Sequence, residues 1–114
     1  MKLKPIHPGE ILREEFMVPY DLNPNKLAIA LRVSAPTVYQ IVKEERPITV
    51  PMAFRLARLF GTTPEFWVNL QIEFDVRVAK VTEQPKVNQE IRPLAEATAQ
   101  VFLVKQRAVI HHRR

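Results

Sequence analysis

Residues 23–42 read NPNKLAIALRVSAPTVYQIV, and this stretch decides the fold. Asn23 followed by Pro24 is typical of a helix N-terminus, because asparagine caps the first turn and the proline lacks only an N–H that would have no partner there. Ser34 begins a second helix in the same way. The apolar residues of this second helix fall on one face: Val38, Ile41 and Val42. Only residues 32 and 33 separate the two helices, and so tight a connection predicts a helix-turn-helix.

Three further helices are predicted around this pair. The first lies between Pro8 and Pro19, because proline suits the first turn of a helix and stops a helix elsewhere. The fourth is capped by residue 49 or 50 and ends at Gly61, which suits a left-handed C-cap. The fifth begins at residues 63–65, Thr-Pro-Glu, which repeat the order of N-cap, proline and acid. The sequence therefore predicts an all-α domain of five helices.

The fifth helix competes with a strand, because apolar and polar residues alternate strictly over residues 70–78. A helix is favoured by the strong cap and by the length, since about fourteen residues would make a long strand. In a helix, Ile72, Val76 and Ala79 form an apolar strip outside the domain's own core. We expect this strip to be the interface of a homodimer, because exposed apolar strips usually mark interfaces.

Beyond residue 80 the pattern weakens. Residues 1–80 are predicted to form the helix-turn-helix DNA-binding domain, and the polar residues 81–92 a linker. Residues 93–114 form a C-terminal extension that suits a helix or strands equally well and is a candidate dimerisation segment.

Composition excludes several classes of protein. The chain has 114 residues, of which 46% are hydrophobic, and this length suits one globular domain. It has no cysteine, which excludes disulfides, cysteine zinc sites and a thiol nucleophile. No apolar run is long enough for a signal peptide or a membrane span, so we expect a soluble cytoplasmic protein with no membrane partner. The net charge of +5 allows nucleic acid or an acidic partner without choosing between them.

No residues suit catalysis or metal binding. His7 is best explained as a surface or capping residue. His111 and His112 are adjacent, and adjacent residues do not converge on one metal ion. The acidic pairs at residues 14–15 and 44–45 also diverge, so neither can straddle a substrate. We expect no enzyme activity, no metal and no cofactor.

Two longer runs carry a family resemblance. Residues 6–16 read IHPGEILREEF and are followed by Pro19, and residues 52–71 read MAFRLARLFGTTPEFWVNLQ. Together with the helix-turn-helix between them, these runs resemble HigA-type antidotes of bacterial toxin–antitoxin modules over residues 5–80. The resemblance implies a λ-repressor-like fold of the Xre family. It also implies a homodimer that represses its own operon and neutralises a HigB-type RNase toxin.

Departures from the family pattern fall in the segment that reads DNA. Arg32 replaces a glycine in the turn, so it must adopt the left-handed conformation or reshape the turn. Pro24 replaces a glutamine that touches phosphate. Thr37 and Tyr39 stand where the family often has arginine and asparagine, and the loop at residues 43–46 reads Lys-Glu-Glu-Arg instead of Asn-Gly-Lys-Arg.

A recognition helix buries one face and presents the other to the major groove. The outward residues of this helix are Pro36, Thr37, Tyr39, Gln40 and Lys43. Gln40 suits a bidentate contact with adenine, and the Thr37 methyl suits a thymine methyl. Tyr39 suits the sugar-phosphate backbone. The expected phosphate contacts are the basic residues at the helix ends and flanking loops: Lys26, Arg32, Lys43 and Arg46. A symmetric dimer predicts a palindromic double-stranded operator.

The toxin is expected to be basic, because it acts on RNA, and therefore to favour an acidic surface. The first helix offers Glu10, Glu14 and Glu15, whereas the chain has no acid after Glu96. We therefore expect the first helix to meet the toxin. Two other functions remain open: a stand-alone transcriptional regulator without a toxin, and a protein-interaction module that has lost DNA binding.

Overall fold

The computed structural model describes residues 4–94, and every regular element in that range is a helix. The chain divides into two units, residues 1–81 and residues 82–114, which are described separately. The helices of the first unit are α1 (Pro8–Ile11), a π-helical segment (Leu12–Met17), α2 (Pro24–Leu31), α3 (Ala35–Val42), α4 (Val50–Phe60) and α5 (Pro64–Thr82). The predicted all-α, five-helix domain is confirmed.

The first helix starts as predicted but does not stay α-helical. His7 is its N-cap, and the His7 Nδ1 accepts a hydrogen bond from the Gly9 N–H at 2.9 Å. From Leu12 onward the helix widens into a π-helix and ends at Met17, two residues before Pro19. Such segments are rare and are often found at functional sites.

The helix-turn-helix follows the predicted caps. Asn23 Oδ1 accepts a hydrogen bond from the Lys26 N–H at 2.8 Å, and Ser34 Oγ accepts one from the Thr37 N–H at 3.4 Å. Between the two helices Arg32 has φ 58° and ψ 46°. Of the two outcomes expected for this position, the structure shows the left-handed residue, which a glycine would adopt at lower cost.

Local signals also fix α4 and α5. Thr49 caps α4 by accepting from the Met52 N–H at 3.3 Å, and Gly61 ends it with φ 75°. Thr63 Oγ1 accepts from the Phe66 N–H at 3.1 Å at the start of α5. Helix α5 then runs without interruption to Thr82, so the helical interpretation of residues 70–78 is confirmed.

Trp67 is fully buried and anchors the core. Its indole Nε1 donates to Thr62 Oγ1 at 2.8 Å, and its ring contacts those of Phe16 and Phe66. The core cluster of buried apolar residues comes from the π-helical segment and from α2, α3, α4 and α5: Leu12, Met17, Leu27, Ala28, Leu31, Val38, Ile41, Val42, Met52, Ala53, Leu56, Ala57 and Trp67, with Ile48 from a loop. Leu59 of α4 and Phe66 of α5 are large apolar residues that stay partly exposed at the surface.

In the second unit, the predicted linker at residues 81–92 includes a helix, α6 (Gln84–Glu90), none of whose residues is buried. The proposed division into residues 1–80, 81–92 and 93–114 stays a prediction. Most of the C-terminal extension, including His111 and His112, lies outside the described residues. Within residues 4–94, no helix has the length and apolarity needed to span a membrane.

Candidate DNA-binding surface

Helix α3 has one buried face and one open face. Val38, Ile41 and Val42 are buried in the core. The structure brings the five predicted reading residues together on the opposite side of this helix: Pro36, Thr37, Tyr39, Gln40 and Lys43. Pro36, Tyr39 and Lys43 are exposed, whereas Thr37 and Gln40 are half-buried. This is the arrangement that a recognition helix requires.

The polar groups on this face differ in what they can still bind. Thr37 Oγ1 lies 2.7 Å from Ser34 Oγ, so its hydroxyl takes part in the cap, and its methyl can contact a base. In the described part of the chain, neither the Gln40 amide nor the Tyr39 hydroxyl has a hydrogen-bond partner. Gln40 can therefore donate to and accept from one adenine.

Arg13 binds the carboxyl end of α3. Its Nη1 donates to the Val42 carbonyl oxygen, one of the last carbonyls of the helix. Such carbonyls have no partner within their own helix, and a cation there also suits the helix dipole. The Arg13 guanidinium also lies 3.5 Å from the Glu44 carboxylate and 3.8 Å from that of Glu14. The sequence analysis missed this contact.

Because of this contact, Glu44 does not add an unpaired negative charge to the loop after α3. It is half-buried, has φ 63° and pairs with Arg13. Glu45 is exposed and has no ion-pair partner within residues 4–94. The departure at residues 43–46 therefore adds one uncompensated negative charge, and not two, to the surface beside α3.

The predicted phosphate-binding residues are all exposed. Lys26 lies in the first turn of α2, Arg32 at its C-cap, Lys43 at the C-cap of α3 and Arg46 in the following loop. Within residues 4–94 none of the four is paired with a carboxylate. Their side chains are therefore available to phosphates at both ends of the helix pair.

Gly9 and His7 fit α1 closely against α3. A Cβ on Gly9 would overlap the Ile41 carbonyl oxygen, so only glycine permits this approach. His7 is buried with its ring edge against Phe74, at a centroid distance of 4.8 Å. Burial lowers the pKa of His7 below its usual 6.5, against the opposing effects of the Glu44 and Asp75 carboxylates.

Gln71 fixes the loop between α3 and α4, which carries Arg46. Its Oε1 accepts from the buried Ile48 N–H at 2.8 Å, and its Nε2 donates to Asp75 Oδ1 at 2.9 Å. Sequence reasoning placed only apolar residues of α5 in the core and so missed Gln71. No pattern marks this residue, because its role depends on a backbone group 23 positions away.

The other predicted sites lie on the first helix and on α5. On α5, Ile72 is 53% and Val76 45% exposed, whereas Ala79 is half-buried. On the first helix, Glu14 and Glu15 are exposed and Glu10 is half-buried. Among residues 4–94, no cluster of three or more His, Asp or Glu side chains is arranged to hold a metal ion.

Several of the known proteins that this chain is similar to are antitoxins. Pseudomonas aeruginosa antitoxin HigA, solved with the higBA promoter, matches with a TM-score of 0.77 and 51% identity over 79% of this chain and 98% of that one. Antitoxin GraA, solved in complex with its operator, matches with a TM-score of 0.76 and 42% identity over 83% and 96% of the two chains. Antitoxin HigA-1 of Vibrio cholerae is 37% identical over 75 residues, which are 66% of this chain and 70% of the relative.

No family model matches the chain. These three relatives are nevertheless at least 37% identical to this chain, and each match covers at least 70% of the relative's own length. They are antitoxins and not enzymes, in agreement with the sequence analysis. The chain belongs to the HigA family of helix-turn-helix antitoxins.

Proposed function

We propose that this protein is a sequence-specific DNA-binding autorepressor that reads its operator with α3. The observation that carries the proposal is the open face of α3, directly opposite its buried face. Two relatives were solved with a promoter or an operator, which supports the same function here. The pairing of Glu44 with Arg13 removes part of the support for a module that has lost DNA binding.

Base choice is assigned to Gln40 and Thr37. Gln40 carries a free amide that reads adenine, and the Thr37 methyl packs on a thymine methyl. Tyr39 lies along the sugar-phosphate backbone, and Pro36 approaches the groove at the first turn of α3. Lys26, Arg32, Lys43 and Arg46 neutralise phosphates, which adds affinity without sequence preference.

Gel shifts with the upstream region of its own gene test this assignment. Gln40→Ala should relax base choice at one position per half-site, at a cost of about 1–3 kcal/mol per bidentate contact. Lys43→Ala is the matched control on the same helix, and it should weaken all sequences alike and reduce the salt dependence. Equal binding to the upstream region and to random DNA would exclude a sequence-specific repressor.

The active form is proposed to be a two-fold dimer on a palindromic operator. Ile72, Val76 and Ala79 of α5 form the interface, supported by the exposure of the two larger side chains. A two-fold interface pairs one patch with itself, so each protomer presents one α3 to one half-site. Half-sites about ten base pairs apart should then be protected together in a footprint.

The antitoxin role is proposed to use the acidic face of the first helix against a HigB-type RNase. Glu14 and Glu15 are exposed there, and Glu10 is half-buried beside them. This placement supports a contact with a basic partner. Arg13 connects this acidic face to α3, because its guanidinium lies 3.8 Å from the Glu14 carboxylate and also donates to the Val42 carbonyl oxygen.

A pull-down with the toxin from the neighbouring gene tests the antitoxin role. Changing the three glutamates of the first helix to lysine should abolish toxin binding. Removing residues 105–114 should leave toxin binding intact, because that segment is basic. The reverse pattern would assign the toxin to the C-terminal segment. If the product of the neighbouring gene binds neither the charge-reversed nor the truncated protein, a stand-alone regulator is favoured.

A further inference from the structure

An open groove lies between the carboxyl end of α2 and α4, and it shares Arg32 with the predicted phosphate-binding residues. Its volume is about 680 Å³, within the usual range of ligand sites, roughly 300–1,000 Å³. The residues that matter for its chemistry are Arg32, Pro51, Phe54, Arg55, Arg58 and Leu59. We call it the arginine groove.

The arginine groove combines exposed apolar surface with positive charge. Phe54 is 60% exposed and Leu59 is 39% exposed, so large apolar side chains face water here. No carboxylate lines the groove, and within residues 4–94 none of its three arginines is in an ion pair. Exposed phenylalanine beside arginine is the composition of protein interfaces, whose strongest contacts are aromatic and arginine residues.

One of the three guanidinium groups is already held in place. Arg55 Nη1 donates to the Leu31 carbonyl oxygen at the end of α2, at 2.9 Å. This hydrogen bond fixes the side chain against the groove wall and leaves its other nitrogens for a ligand. A fixed guanidinium loses less conformational entropy when it binds a carboxylate, and so binds it more strongly.

We propose that the arginine groove binds an acidic peptide segment of a partner protein. A large apolar side chain of that segment packs on Phe54 and Leu59, and its carboxylates meet the three arginines. The positive lining disfavours the basic toxin and the chain's own basic C-terminal residues. The apolar floor disfavours nucleic acid, whose backbone offers no apolar group of that size. The groove therefore assigns the protein a second, acidic partner.

Binding of a defined peptide to the full chain tests the proposal. The probe is the peptide EEDFLEE, acetylated and amidated, and the control EEDSSEE carries the same charge without the apolar pair. NMR titration of the ¹⁵N-labelled protein should show shift changes at groove residues only. Affinity for EEDFLEE should exceed that for EEDSSEE by about tenfold, since two apolar side chains are buried in one case alone.

Two exposed basic residues supply the matched variants. Arg58 lies in the last turn of α4 and Lys43 at the C-cap of α3. Replacing either residue by glutamine therefore removes one cation from the end of a helix. Arg58→Gln should weaken peptide binding about tenfold, whereas Lys43→Gln should leave it within about twofold. Arg58→Gln should also leave operator affinity unchanged, because Arg58, unlike Arg32, is not assigned to a DNA phosphate.

Four results would overturn the proposal. They are equal binding of the two peptides, equal losses in the two variants, shift changes centred on α3, and shift changes in the groove with a DNA duplex but not with EEDFLEE. A change from dimer to monomer in Arg58→Gln, measured by sedimentation, would instead assign the groove to a second copy of the chain.

Discussion

Replacing Arg13 by methionine should loosen the recognition helix without touching the DNA surface. The variant loses the hydrogen bond to the Val42 carbonyl and leaves Glu44 without its cation. A buried hydrogen bond from a charged group contributes about 1.5–3 kcal/mol. The Arg13 side chain is 40% exposed, and solvent screening reduces the expected loss of unfolding free energy to about 1–2 kcal/mol.

Urea denaturation measures this loss, and thermal unfolding should show a midpoint lowered by about 4–8 °C per kcal/mol. Glu14→Gln is the matched control, because it removes only the 3.8 Å pair between exposed side chains. That variant should stay within about 0.5 kcal/mol of the wild type. Amide hydrogen exchange at residues 43–45 should accelerate in Arg13→Met alone, since those residues follow the freed end of α3.

The operator affinity of Arg13→Met should fall, while the slope of affinity against salt concentration stays at its wild-type value. That slope counts phosphate contacts, and Arg13 acts on Val42 and Glu44 and not on DNA. A wild-type denaturation midpoint would refute the reasoning. So would a salt slope smaller by about one unit, which would show that Arg13 binds phosphate directly.

Gly9→Ala should destabilise the fold by about 1–3 kcal/mol in urea denaturation, because its Cβ meets the Ile41 carbonyl. Gly61 has open space around it but a φ of 75°, so Gly61→Ala should lower the free energy of unfolding by only about 1 kcal/mol through backbone strain. Equal losses in the two variants would contradict the proposed overlap at Gly9. Burial holds the pKa of His7 below 6.5, so the unfolded chain takes up a proton first and stability should fall as the pH drops below 6.5. His7→Asn keeps a cap acceptor and should flatten that profile; an unchanged profile would assign the slope to another group. Ile72→Glu combined with Val76→Glu should give a folded monomer in sedimentation, with weak operator binding, and an unchanged dimer would place the interface elsewhere.

The helices were predictable from sequence because their end signals act over three or four residues. Asn23, Ser34 and Thr63 each accept a hydrogen bond from the backbone three positions later. The left-handed conformation of Arg32 was one of two outcomes that follow from so short a turn. In such cases the residue and the group it satisfies lie together in the sequence, so a pattern can show both.

The contacts that hold these helices in place were not predictable in the same way. Arg13 reaches a carbonyl 29 residues away, Arg55 one 24 residues away, and Gln71 an amide 23 residues away. Each partner is a backbone group, which carries no sequence signal of its own. The long-range fold must exist before such a donor or acceptor can be recognised, and for that reason the sequence pattern gave Arg13, Arg55 and Gln71 no role in the fold.

Residues 6–16, one of the two runs that carry the family resemblance, include residues that position the first helix against α3. His7 caps the first helix, Gly9 permits its approach to Ile41, and Arg13 binds the end of α3. Each of these three residues contacts a backbone group, so the packing of the helices constrains all three positions. The side chains on the open face of α3 are not constrained in this way, because only the ligand that they bind determines which residues suit these positions. The same sequence can therefore show the family plainly while departing from it where DNA is read.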